Sequence, residues 1–184
     1  ISGGECTLNR RWLIEYLKES RRLNTDKEAR FHVDTNAVIL TRDYIDDLVN
    51  AGMTDIGPDI KGLDVDTFVR ISGLKDKELA KKFLETEWNA VKYLLDQYWG
   101  KIFVGIGLPY NSKLISLDEV QRIGERIASM ETDVQVCVLD YRPEFRRQDI
   151  TRPAFDEMVQ VKNLLEDTGL RCVICQTEQG HIGP

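Results

Sequence analysis

The sequence predicts an α/β fold built on a parallel sheet or βα barrel, and three observations carry that prediction. Apolar spacing switches repeatedly between short β-like runs and longer helical ones, so that strand and helix alternate at least four times. Parallel strands need crossovers of that length, and such crossovers are right-handed. The run KIFVGIGLP is nearly continuous in apolar residues, as expected of a strand covered on both faces. Finally, 184 residues, 42% of them hydrophobic and without a Pro/Gly/Ser-rich linker, suffice for one substantial core, so residues 1–184 are expected to form a single domain.

The elements follow in order. ISGGE reads as the end of a strand running into a glycine turn. LNRRWLIEYLKESRRL carries Leu8, Trp12, Ile14, Tyr16, Leu17 and Leu23 at mostly helical spacing, with Thr7 or Asn9 as its N-cap. RFHVDTN is a strand, TRDYIDDLVNAG a helix and TDIGPDIK a short strand. A long amphipathic helix is expected from Asp76 to about Trp99, then the strand KIFVGIGLP. SLDEVQRIGERIASM begins at Ser116, with Glu119 three residues on, as in a capping box. VQVCVLD is the next strand, RPAFDEMVQVKNLLEDTG a helix opened by Pro153 and closed by Gly169, and LRCVICQT a last strand.

Composition excludes several functions. A net charge of -6 argues against binding a nucleic-acid backbone, although Arg142, Arg146, Arg147 and Arg152 form a local basic cluster suited to a small anion or acidic peptide. No apolar run approaches the length of a membrane helix, so no membrane partner is expected. Four cysteines are too few to staple a chain of this size, and no secretory signal is visible, which together point to the cytoplasm.

In βα folds the site lies at the C-terminal ends of the strands. Those ends carry Gly3, Gly4 and Glu5; Asp34, Thr35 and Asn36; Asp59 and Lys61; and Asp140, Tyr141 and Arg142. Carboxylates, an amide and a lysine over one rim suit a zwitterionic or cation-bearing ligand. Taken one at a time, the same residues also read as helix caps and turn formers.

The ordered motifs S-G-G-E, D-T-N and D-I-K, each at a strand end, resemble the radical S-adenosylmethionine superfamily, and within it the pyruvate formate-lyase activating enzyme group. The likeness covers Ile1 to about Tyr141. It implies a partial barrel that lacks the first strand and its cluster loop, with a C-terminal helix and strand extension. It also implies a reaction in which S-adenosylmethionine is reductively cleaved to a 5'-deoxyadenosyl radical that abstracts hydrogen, with a glycyl radical enzyme as one candidate partner. Gly3, Gly4 and Glu5 would then bind the ligand's ammonium, Lys61 its carboxylate, and Asn36, Tyr141 and Arg142 the ribose or main chain. Asp34, Thr35 and Asp59 would hold a monovalent cation. The family's 4Fe-4S cluster needs three cysteines in C-x3-C-x2-C, which Cys6, Cys137, Cys172 and Cys175 do not reproduce. Its ligands are therefore expected upstream of Ile1, and the piece alone is expected to be inactive. An open sheet edge would invite self-association.

Cys172 and Cys175 form C-x-x-C in a strand, where positions three apart face opposite ways, so core packing is preferred to joint ligation. His32 and His181 lack a partner motif. Two alternatives stay open: a metal-independent βα-barrel lyase or aldolase with Lys61 as a Schiff-base lysine, and a non-catalytic binding scaffold.

Overall fold

In the computed structural model, which describes residues 1–144 and 147–184, a six-stranded sheet carries helices along one face. Strand order equals chain order: β1 (His32–Thr35), β2 (Asp55–Pro58), β3 (Phe103–Tyr110), β4 (Gln135–Asp140) and β5 (Cys172–Thr177) are parallel. A short β6 (Gly180–Ile182) adds antiparallel to β5 through a turn whose carbonyl and amide both engage Thr177 Oγ1. Successive right-handed crossovers in one direction place the helices on one side and curve the sheet, giving a partial parallel βα barrel.

The first residues join this sheet. The Ile1 N–H donates to His32 O at 2.5 Å and Asp34 N–H donates to Ile1 O at 3.0 Å, the alternation of a parallel ladder. A 3-10 turn (Cys6–Leu8) follows, then α1 (Arg10–Leu23), capped by Asn9, whose Oδ1 accepts from Trp12 N–H. Thr7 is therefore not the cap; it is buried in the turn.

The remaining helices are α2 (Arg42–Asn50), α3 (Val65–Ser72), α4 (Lys77–Tyr98), α5 (Leu117–Ala128) and α6 (Phe155–Asp167). Ser116 caps α5 through its hydroxyl, as the sequence predicts, and Asp76 caps α4 through its carboxylate. The predicted capping box at α5 forms only in part: the Glu119 carboxylate leaves its own helix and caps α3. The sequence reading lacked both α3 and β6.

The alternate residues Val33, Ile56, Val104, Ile106, Leu108, Val136, Val138, Val173 and Cys175 are buried against the helices. The opposite face is open. As far as Gly107, KIFVGIGLP is thus covered on one face only: Phe103 is 41% exposed and Gly105 and Gly107 are half-buried, while the end of the run, from Leu108, is buried on both sides. Two of its inward positions are glycines, which count as small residues in a pattern but supply no side chain to fill the inside of the curve. Among the described residues, no helix is long and apolar enough to cross a membrane. Arg146 of the basic cluster lies outside the described residues.

Candidate functional site

The concave face encloses a cavity of about 620 Å³, within the roughly 300–1,000 Å³ typical of small-molecule sites. Its wall runs from Ser2–Glu5 across β1, β2 and β3 to Cys137 and Leu139 on β4. Gly3, Gly4, Glu5, Asp34, Thr35, Asn36, Asp59 and Lys61 all line it, so eight of the ten candidate residues converge. Tyr141 and Arg142 do not. The chain turns away after β4: Tyr141 N–H donates to Tyr110 O, its side chain packs on Ile71, Leu114 and Ile150, and Arg142 pairs with Glu144 at 2.8 Å. Asp140 faces the helices, where it is 4% exposed and held by Arg152 at 2.5 Å.

The glycine turn is left-handed at both positions, φ +96° at Gly3 and +59° at Gly4, a conformation that costs other residues about 1–2 kcal/mol. No protein donor among the described residues reaches either carbonyl. Glu5 is locked by four donors. Its Oε1 accepts from Thr7 N–H (3.1 Å), Thr7 Oγ1 (2.6 Å) and Thr35 Oγ1 (2.8 Å), and its Oε2 from Asn36 N–H (2.7 Å). Burial alone would raise this carboxyl, but those hydrogen bonds outweigh it and hold the group below its ordinary value. One lone pair on Oε2 is left for a ligand. The rim turn continues through Ala37 at φ +55°, strained for a residue with a Cβ and secured by its N–H to Thr35 Oγ1 at 3.0 Å.

On β1, His32 and Asp34 share the inner face, with Nε2 and Oδ1 2.6 Å apart. Alternation along the strand puts both on one face, an arrangement that sequence reasoning, finding no partner motif for His32, did not use. Gly57 makes room for the pair, since a Cβ there would sit 2.8 Å from Asp34 Oδ1. Gly107 does the same for Asp59, where a Cβ would stand 2.1 Å from Oδ1. Burial pushes the Asp59 carboxyl up; Lys61 opposes the shift, while Asp34 and Glu5 add to it.

Lys61 is the decisive residue. Its Nζ is buried and has no hydrogen-bond partner. Its main-chain N–H donates to Glu87 Oε2 at 3.2 Å, and Glu87 Oε1 is likewise buried and unpartnered. Glu87 is 0% exposed, and burial pushes its carboxyl up to about 8 despite the opposing charge and amide of Lys61. The loop carrying Lys61 is fastened by two helices. Trp88 Nε1 on α4 donates to Gly62 O at 2.9 Å, and Glu119 Oε1 on α5 accepts from Leu63 N–H (2.8 Å) and Asp64 N–H (3.0 Å). Sequence reasoning missed Glu87 and read Glu119 only as a capping-box residue of its own helix, although each stands on the apolar stripe of its helix, beside Leu84, Trp88 and Val91 or beside Val120 and Ile123.

The residues present test the groups that the resemblance implies. An amino-acid sulfonium fits: it brings a carboxylate to an unpaired ammonium and surplus positive charge to an acidic wall. The cation set fits poorly, because the Thr35 hydroxyl turns to Glu5 and Thr7, behind the strand from Asp34 and Asp59. The cysteines do not fit an iron–sulfur cluster. Cys6 Sγ donates to Asp34 O, Cys175 is buried under α6, and Cys172 lies on the opposite face of the strand from Cys175. Burial raises the thiols of Cys6, Cys137 and Cys175, the last to about 12. Among the described residues, no group of three or more His, Cys, Asp or Glu side chains could hold a metal.

The fold has a solved counterpart. It is similar to the crystal structure of a domain of pyruvate-formate lyase-activating enzyme from Bacteroides vulgatus ATCC 8482, at a TM-score of 0.71. The likeness covers 95% of this chain and 96% of that one at 16% sequence identity, and at that identity it speaks for the fold. No family model and no curated protein matches the sequence.

Proposed function

We propose that the cavity binds S-adenosylmethionine and that the chain forms the ligand-holding part of a radical S-adenosylmethionine protein of the activating-enzyme type. The observation that carries this is the buried, unpartnered Lys61 Nζ in a cavity whose other charged groups are mainly acids. A complementary ligand has one carboxylate and excess positive charge, and a methionine sulfonium with its free ammonium has both. When bound, it would bring an adenosyl group that one electron from a reductant outside this chain would release from methionine as an abstractor of hydrogen.

The chain's own residues hold and orient. The Gly3 and Gly4 carbonyls and the remaining Oε2 lone pair of Glu5 accept from the ammonium. Lys61 donates to the carboxylate, and Asn36 stands at the rim where a ribose would lie. Gly105, Gly107, Cys137 and Leu139 offer an uncharged wall that keeps water from the reacting end. A glycine in a partner protein is the substrate class that this reading favours.

Titration calorimetry with S-adenosylmethionine tests it. Saturable one-to-one binding is expected; none up to millimolar ligand, about -4 kcal/mol, would end the proposal. The same unpaired amine also supports an imine-forming βα-barrel lyase, with Asp59 as its acid or base. Borohydride trapping of a carbonyl substrate on Lys61, without adenosylmethionine binding, would favour that reading instead.

A further inference from the structure

We infer that Glu87 is a positioning residue: from α4, beneath the cavity wall, it holds the Lys61 segment so that the ammonium is presented to the ligand's carboxylate. The inference rests on the reading of Lys61 given above and extends it to a residue with no access to the ligand.

Three observations carry it. The Glu87 carboxylate is fully buried on the apolar stripe of a helix, where a hydrocarbon side chain would cost less. Its single hydrogen bond goes to the main-chain N–H of Lys61, so it acts on the backbone of the very residue whose side chain is unpaired. Its other oxygen has no partner, and neither has Lys61 Nζ: the two groups lie close enough for Lys61 to act on the Glu87 carboxyl, yet they do not close into an ion pair. A closed pair would leave nothing for a ligand. Trp88, the next residue, holds the Gly62 carbonyl, so consecutive positions of α4 grip both sides of the Lys61 peptide. The other ionisable group that acts on Glu87 is Asp59, on the same β2 extension as Lys61.

The role is separable from mere folding by the ligand's own chemistry. Glu87→Met fills the volume and removes the acceptor, whereas Glu87→Gln keeps an oxygen for the Lys61 N–H. Titrations use S-adenosylmethionine and its decarboxylated analogue, with circular dichroism confirming the fold. In the Met variant, affinity for S-adenosylmethionine is expected to fall roughly tenfold or more, while affinity for the analogue changes less than about threefold; the Gln variant should recover most of the loss. Glu87→Leu serves the same purpose where the Met variant does not fold. Equal losses for both ligands, or a Gln variant as poor as Met, would overturn the inference and leave the reading of Lys61 standing. If wild-type protein does not prefer the carboxylate-bearing ligand, that reading fails, and this inference with it.

Discussion

Replacing Lys61 by methionine should make the protein more stable and a worse binder, and the opposite signs are the point. Its Nζ is buried without a partner. An unsatisfied buried polar group costs about 1–3 kcal/mol, more when charged, and an apolar side chain of similar length removes that cost. Gains of about 1–3 kcal/mol correspond to a rise in Tm of roughly 2–12 °C for a chain of this size. Glu87 adds little penalty at neutral pH, because its carboxyl is already raised to about 8 and loses only an attraction. With ligand present the balance reverses. Truncating one partner of a buried, hydrogen-bonded charge pair costs about 2–5 kcal/mol, a loss of roughly 30-fold to several thousandfold in affinity. Urea denaturation without ligand gives the first number and calorimetry with S-adenosylmethionine the second. If Lys61→Met lowers stability, the lysine is a structural member of the fold; if affinity is unchanged, it does not meet the carboxylate. Either result would refute the reasoning from the unpaired ammonium.

Three further outcomes are expected. Gly107→Ala places a Cβ 2.1 Å from Asp59 Oδ1 and must swing that carboxylate into the cavity; affinity should drop about tenfold with the fold intact by circular dichroism. Glu119→Ala strands the Leu63 and Asp64 amides and the Thr67 hydroxyl at the start of α3, and should cost about 3 kcal/mol in urea denaturation, with a change under 0.5 kcal/mol, about the scatter of a surface substitution, counting against that role. The pH profile carries a defined sign. Burial raises the Glu87 carboxyl from its ordinary 4.5 to about 8, so between those values the folded state keeps a proton that the unfolded chain releases. Its contribution is therefore complete below about 4.5 and is lost as pH climbs toward about 8, at up to ~1.4 kcal/mol per pH unit. Glu5, held low, works the other way and loses its contribution on acidification. Glu87→Gln should flatten the alkaline decline, and stability curves parallel to wild type would reject the assignment.

Much of the fold was legible because each β-tip announces itself: an apolar run ends, and a glycine or acid begins a turn. The same feature brought Glu5, Asp34, Asp59 and Lys61 to one cavity, since neighbouring parallel strands end side by side. What escaped was tertiary. Glu87 and Glu119 bond to a loop 26 and 56 residues away in the chain, and no local spacing encodes such a pairing. Helix α3 is eight residues long, and its start is secured by Glu119 rather than by a side-chain hydrogen bond from its own Asp64. Tyr141 and Arg142 were carried over from the family pattern after its last matching strand, whereas here the strand ends at Asp140 and the chain turns away from the cavity.

The acids of this chain divide into two kinds, and the division locates the function better than any motif. Glu119 and Asp140 are buried and held from within: Glu119 accepts from three donors on the Leu63–Thr67 segment, Asp140 is clamped by Arg152, and each would be expensive to remove. Glu87 is equally buried but keeps an empty acceptor, and Asp59 has no hydrogen-bond donor on its carboxylate among the described residues. Both lie around Lys61, whose Nζ is the one buried cation without a partner among the described residues. A fold selected for stability alone would have closed these groups upon one another or replaced them with hydrocarbon. The unpaired Lys61 Nζ and the Asp59 carboxylate meet at the end of β2 beside a cavity lined with glycine, and in the proposed reading their partners come from outside the chain. The ligand is thereby described by what the protein withholds: an acceptor for Lys61, and donors or positive charge for Asp59 and the open turn at Gly3 and Gly4.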